Sequence, residues 1–153
     1  MDYRMAAPAD FSRLAEMRWD FRTELAHEPV PQELKESFIP AMLDFLAEAH
    51  ASGRWGIWAA ELNGLIVSHV YIQRIRKVPR PSSFIAEMGY LTNMFTYPAY
   101  RGKGIGAELL HHALAWSRSQ KLEMIILWPA KGREEFYIRG GFNHEKEAMT
   151  QDL

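Results

Sequence analysis

The sequence predicts a mixed α/β domain, and three observations carry that prediction. The hydrophobic period switches along the chain between about 3.6 residues, as on one face of a helix, and 2, as on one face of a strand. Strong turn signals at Asn63-Gly64, at Pro79-Arg80-Pro81-Ser82-Ser83 and at Gly140-Gly141 separate the periodic segments. A glycine-rich turn, Arg101-Gly102-Lys103-Gly104-Ile105-Gly106, joins a strand-like run directly to the most regular helical pattern in the chain.

Taken in order, Tyr3 to Ala6 reads as a short strand, and Pro8-Ala9-Asp10 as a turn in which Asp10 caps a helix patterned by Phe11, Leu14, Ala15, Trp19 and Leu25. A second helix is expected from Gln32 to Ala49, with Leu34, Phe38, Ala41, Met42, Phe45 and Leu46 on one stripe; Pro40 falls inside it as a potential kink, and Gly53 ends it. Trp55–Glu61 and Leu65–Gln73, joined by Asn63-Gly64, predict a β-hairpin. Phe84 to Thr96 predicts a further strand, long enough to hold a bulge, stopped at Pro98. The helix after the glycine turn carries Ile105, Leu109, Leu110, Ala113, Leu114 and Trp116 and fades at Ser117-Arg118-Ser119. Met124 to Trp128, an unbroken apolar run, predicts a fully buried strand; Arg133–Arg139 predicts about two helical turns, and Asn143–Leu153 is weakly strand-like. No repeat or linker divides the chain, so residues 1–153 are expected to form a single domain in the order β α α β β β α β α β.

Composition narrows the function. With 18 Lys+Arg against 19 Asp+Glu the formal charge is −1, which speaks against an extended basic surface for nucleic acid. The absence of cysteine excludes a disulfide framework, a thiolate metal site and catalysis through a protein thiol. No run approaches the roughly 20 apolar residues that span a bilayer, and Met1-Asp2-Tyr3-Arg4 lacks the basic-then-apolar layout of a signal peptide. The expectation is a mature, cytoplasmic protein with no nucleic-acid or membrane partner.

A glycine-rich turn at a helix start offers free backbone N–H groups at the positive end of the helix dipole, a fit for phosphate. A P-loop would need Gly-Lys followed by Ser or Thr, and here Lys103 lies between glycines. Gly102, Gly104 and Ala107 satisfy a dinucleotide pattern, but the corresponding acid, Glu123, opens the next strand instead of closing it, and too little chain follows for that fold. A purely structural turn remains open on the residues alone, although it leaves three glycines beside two basic residues unexplained.

Tyr97-Pro98-Ala99-Tyr100-Arg101-Gly102-Lys103-Gly104-Ile105-Gly106 closely resembles the R/Q-x-x-G-x-G/A signature of the GNAT N-acetyltransferase superfamily, and Phe136-Tyr137-Ile138-Arg139-Gly140-Gly141-Phe142 resembles its second hallmark, a Tyr on a short helix followed by Gly-Phe. The element order matches from end to end. The resemblance implies a GNAT fold, with a mixed central sheet splayed between two parallel strands and about four flanking helices. It implies acetyl-CoA as co-substrate, with the diphosphate on the N–H groups of Gly102, Lys103, Gly104, Ile105, Gly106 and Ala107, charge from Arg101 and Lys103, and the pantetheine arm along the backbone of Met94, Phe95 and Thr96. Tyr137 matches the family's proton donor to the departing thiolate, and Arg133 a residue that touches coenzyme A or substrate.

The reaction so implied is direct acetyl transfer to a primary amine of a small molecule, and the amine must first lose a proton. The position before Met94, often acidic in the family, is Asn93; Glu87, upstream on the same strand, is a candidate base acting through a water, and a solvated edge residue is its other reading. The acceptor end is expected among Trp19, Phe21, Glu24, Glu28, Phe38 and Tyr71, where Glu24 and Glu28 would favour a cationic amine such as a polyamine. Transfer to protein amines, and a silent acyl-CoA-binding domain marked by Asn93, are the alternatives. His111-His112 is not read as a metal site, because adjacent helix positions diverge by about 100° and no ligand follows at i+4. No sequence feature decides the oligomeric state; a homodimer is one possibility, with a second copy covering a sheet edge or the Asn143–Leu153 tail pairing across it.

Overall fold

The computed structural model, which describes residues 1–26, 28–144 and 151, lays the strands side by side in chain order. They are β1 (Asp2–Met5), β2 (Trp55–Leu62), β3 (Leu65–Arg76), β4 (Glu87–Thr96) and β5 (Ile125–Ile126). Pairing is antiparallel from β1 through β4 and parallel between β4 and β5. Four helices complete the description: α1 (Phe11–Leu25), α2 (Leu34–Ser52), α3 (Ile105–Ser119) and α4 (Glu134–Arg139). The hairpin turn forms as its residues require, with Asn63 and Gly64 both at positive φ (51° and 79°).

Alternation along the strands feeds two cores, one on each sheet face. Ile57, Ala59, Ile66 and Phe95 pack with Leu14, Met17 and Leu46 under α1 and α2. Ala60, Val67, Val70, Ile72 and Leu91 pack with Leu109, Leu110 and Ala113 of α3, and the partly buried Phe136 and Tyr137 of α4 close over that side.

The bulge expected in the long strand falls at Asn93. Tyr71 pairs with Thr92 and His69 with Phe95, so β4 has one residue more than β3 over this stretch, and Asn93 takes the left-handed conformation (φ 49°). The extra residue reverses the phase of alternation. Leu91 points to the α3 side and Phe95, four residues on, to the α1 side, although an unbroken strand would put both on one face.

Several elements differ from the sequence-based expectation. Asp10 does not cap α1; it ends a single 3-10 turn, accepts the Ala7 N–H (2.7 Å) and binds Arg4 (2.7 and 2.9 Å). Helix α2 runs unbroken through Pro40, which lies on the exposed side, where water can hydrate the carbonyl left without a partner. Strand β4 starts at Glu87, since Phe84 and Ile85 lie exposed in the turn-rich loop. Strand β5 is two residues long and half-buried, and Met124 and Trp128 are exposed. Within the apolar run, Ile125 and Leu127 pack against the α3-side core, and Leu127 and Trp128 line the opening between β4 and β5. The tail expected to be strand-like, Asn143–Leu153, falls almost wholly outside the described residues, and nothing bears on a dimer through it.

Candidate active site

The pairing of β4 with β5 ends at Tyr90 and Ile126, while β4 continues to Thr96. Beyond that point the two parallel strands separate, and a cleft of about 1330 Å³ opens between them. Met94, Phe95, Thr96, Arg101, Gly102, Gly104, Ile105, Gly106, Ala107, Arg133 and Tyr137 line it, joined by Arg18, Phe21, Arg22 and Glu24 of α1 and by Trp128. The residues singled out from two separate motifs thus meet in one space.

The glycine turn has the conformation that an anion cradle needs. Gly102 and Gly104 adopt φ of 73° and 77°, which turn the chain sharply into α3, and nothing lies within 4 Å of where their Cβ atoms would be. The first intrahelical bond runs from the Glu108 N–H to the Gly104 carbonyl (3.0 Å), so the N–H groups of Ile105, Gly106 and Ala107 precede the helical ladder. They stand at the N-terminus of a 15-residue helix, facing the cleft. Gly106 keeps the helix close to β4, for a Cβ there would come 3.3 Å from Thr96 Oγ1 and 3.6 Å from Met94 Cε. The Ile105 side chain is buried in the core, so only its backbone is offered to the cleft.

The two basic residues of the turn are already engaged. Arg101 Nε donates to the Thr96 carbonyl (2.7 Å) and its Nη atoms pair with Glu24 (2.7 and 2.8 Å). Lys103 does not line the cleft; its Nζ curls back to the Ala99 carbonyl (3.0 Å) beside the Tyr100 ring. Backbone groups and the helix end, more than free side-chain charge, make the turn attractive to an anion.

Tyr137 sits on α4, held by edge contacts with Phe136 and Phe142 (ring centroids 5.1 and 5.8 Å). Burial raises its pKa, against a smaller opposing effect from the Arg133 charge, so its phenol keeps its proton through the neutral range. Arg133 precedes the first turn of α4, exposed at the cleft rim.

Glu87 is not brought to this site. It opens β4, about 20 Å along the strand from Asn93 at roughly 3.3 Å per residue, and its carboxylate pairs with Arg74 (2.6 and 2.8 Å) on β3. Of the expected acceptor residues, Phe21 and Glu24 line the cleft. Trp19 packs on Phe38, Tyr71 is buried in the core, and Glu28 is exposed elsewhere.

Sequence reasoning missed a polar cluster behind the bulge. Arg18 Nη1 donates to Asn93 Oδ1 (2.9 Å), and Asn93 stands beside His69 and Tyr71 of β3. Neither ring nitrogen of His69 nor the Tyr71 hydroxyl has a hydrogen-bond partner among the described residues. Burial lowers the His69 pKa to about 3, helped by the Arg18 and Arg13 charges and opposed by the Asn93 amide; burial raises that of Tyr71. One signal was present: Arg18 interrupts the stripe Leu14, Phe21, Leu25 at helical spacing, where an apolar residue is the norm. Among the described residues no three His, Asp or Glu side chains gather as a metal site; His112 stacks on Tyr3 and Trp58. No helix among them is long and apolar enough to cross a membrane.

The sequence model of the acetyltransferase (GNAT) family matches residues 11–142. An uncharacterized N-acetyltransferase of Methanocaldococcus jannaschii is 31% identical over an alignment of 102 residues, and the match covers 61% of this chain and 41% of the relative. The chain therefore spans less than half the length of that curated relative. A protein of Clostridium acetobutylicum, described as a predicted acetyltransferase and solved with acetyl-CoA, superposes with a TM-score of 0.83 at 25% identity, covering 99% of this chain and 96% of that one. A GCN5-related N-acetyltransferase of Ralstonia eutropha shares the fold, with a TM-score of 0.77 at 21% identity over 99% and 97% of the two chains.

Proposed function

The chain belongs to the acetyltransferase (GNAT) family, and from that premise we propose that it is an acetyl-CoA-dependent N-acetyltransferase acting on a primary amine of a small molecule. One observation carries the reading: a single cleft joins a stretch of β4 that has no partner on its β5 side, the free N–H groups at the start of α3 and the Tyr137 phenol. That combination suits a long ligand with a diphosphate at one end and a reactive thioester at the other.

The cradle fits the co-substrate. Open space at Gly102 and Gly104 leaves room for a diphosphate against backbone N–H groups, and the backbone of Met94, Phe95 and Thr96 lies beyond the last β5 partner, as an added-strand contact requires. Bound acetyl-CoA supplies an activated acyl carbon whose bond to sulfur breaks as the amine nitrogen forms the new bond to carbon. The nitrogen sheds its proton to water as the amide forms, and Tyr137 donates one to the departing sulfur, its burial keeping that proton available; solvent then returns a proton to the phenol. Glu87, paired with Arg74 away from the cleft, takes no part in the proposed step.

A calorimetric titration with acetyl-CoA, followed by coenzyme A release with a panel of amines, tests the proposal. Saturable binding with amine-dependent release is expected, and no binding at millimolar acetyl-CoA overturns it. Asn93, an amide where a carboxylate base would stand, favours a second reading as a silent acyl-CoA-binding domain. Binding without release for any amine would select that reading.

A further inference from the structure

Helix α1 carries three carboxylates and three arginines, and their partners are unequally distributed. Glu16 pairs with Lys35, Asp20 accepts the Tyr97 hydroxyl (2.5 Å), and Glu24 pairs with Arg101. Arg13 donates to the Ile66 carbonyl (3.2 and 3.3 Å) and lies over the Tyr97 ring. That leaves Arg18 and Arg22, one helical turn apart, both lining the cleft and neither in an ion pair with a described residue.

Arg18 is the more telling of the two. It is half-buried, yet its one hydrogen-bond acceptor among the described residues is the neutral amide oxygen of Asn93. A guanidinium has five N–H donors and stays charged, so most of its capacity is unspent. Burial and then the charge of Arg22 lower its pKa, the mark of a cation without a counter-ion. Two like charges aimed into a cleft beside a neutral amide are complementary to an anion.

The diphosphate of acetyl-CoA is not that anion. Its cradle is the start of α3, whereas Asn93 lies three residues before Thr96, about 10 Å back along β4. We infer that the acceptor carries a carboxylate or phosphate near the amine that is acetylated, gripped by Arg18 with Arg22 in support. The acceptor is thus an amino-carboxylate or amino-phosphate. The polyamine suggested by Glu24 and Glu28 is disfavoured, because Arg101 neutralises Glu24 and Glu28 does not line the cleft. This inference rests on the acetyltransferase reading.

The test uses matched amines at saturating acetyl-CoA: amino acids against their carboxamides, O-phosphoethanolamine against ethanolamine, and spermidine. Coenzyme A release gives kcat/KM for each, and calorimetry gives acetyl-CoA affinity separately. The anionic member of a pair is expected to be preferred at least about tenfold, the size of a charge-assisted hydrogen bond. Arg18→Gln should abolish most of that preference with acetyl-CoA affinity held within about twofold, and Arg22→Gln, an exposed change that leaves the core alone, should reduce it. Equal or better use of the neutral amines or spermidine overturns the inference. So does an unchanged preference in either variant, or no acetylation of any pair by protein that binds acetyl-CoA. Loss of acetyl-CoA affinity in both variants would assign the arginines to coenzyme A and likewise overturn it. Failure of the parent to bind acetyl-CoA would sink the acetyltransferase reading itself.

Discussion

Arg18 and Asn93, 75 residues apart in sequence, meet through a 2.9 Å hydrogen bond between the Arg18 Nη1 and the Asn93 amide oxygen at the floor of the cleft. The bond depends on the β4 bulge, which brings the Asn93 side chain beside Arg18 of α1 and His69 and Tyr71 of β3. Asn93→Asp would place a carboxylate there, and Asp tolerates the left-handed conformation nearly as well as Asn. An ion pair in place of a neutral acceptor should add about 1 kcal/mol and raise Tm by roughly 2–4 °C. Because it neutralises Arg18, it should also lower kcat/KM for anionic amines at least about tenfold. Faster turnover of anionic amines would mean that the position lacked only a base, and would remove the case for Arg18.

Gly104→Ala separates binding from folding. The site has open space, so the substitution costs only the strain of holding a side chain at φ 77°, about 1–2 kcal/mol. Gly64→Ala, at φ 79° and equally open, carries the same strain far from the cleft and serves as the control. Both should lose several degrees in a thermal melt, but only Gly104→Ala should weaken acetyl-CoA, as the N–H groups that follow it turn away. Equal acetyl-CoA affinity in the two variants would show that the turn holds no phosphate.

What was legible in the sequence is what local chemistry decides. The Asn63-Gly64 hairpin, the glycine turn into α3 and the Tyr137 helix ended by Gly140 need only neighbours to form. What was hidden is decided by register. Glu87 reads as a candidate base until the β3–β4 pairing sets Arg74 within 2.6 Å of it. Arg101 and Lys103 read as free charge until the fold supplies the Thr96 and Ala99 carbonyls and Glu24 as partners. The length of β5 depends on where two strands diverge, which no pattern within Met124–Trp128 records.

Tyr137→Phe should lower kcat about a hundredfold, the ordinary scale for loss of a positioned proton donor. The ring contacts with Phe136 and Phe142 survive the change, so Tm and acetyl-CoA affinity should hold. Burial raises the Tyr137 pKa above its ordinary 10, so ionisation of this group should not reduce kcat below pH 10. An unchanged kcat in the variant, measured by coenzyme A release at saturating amine, would take Tyr137 out of the proton path.

His69 makes acid stability a test of the buried cluster. Its imidazole is fully buried, and burial lowers its pKa to about 3, so it stays neutral in the folded chain over the range where an unfolded histidine, with pKa near 6.5, takes up a proton. Between those values the unfolded state binds more protons. Stability is therefore fully present above about pH 6.5 and falls as pH drops toward 3, by about 2 kcal/mol at pH 5 from this residue alone. His69→Leu removes the titration and also two ring nitrogens that lack partners, in a site walled by Tyr71 and Phe95. Denaturant unfolding at pH 8 and pH 5 should give a smaller acid loss for the variant than for the parent, by about that amount. Equal acid losses in the two would mean that water reaches His69 and that the floor of the cleft is wetter than its burial implies.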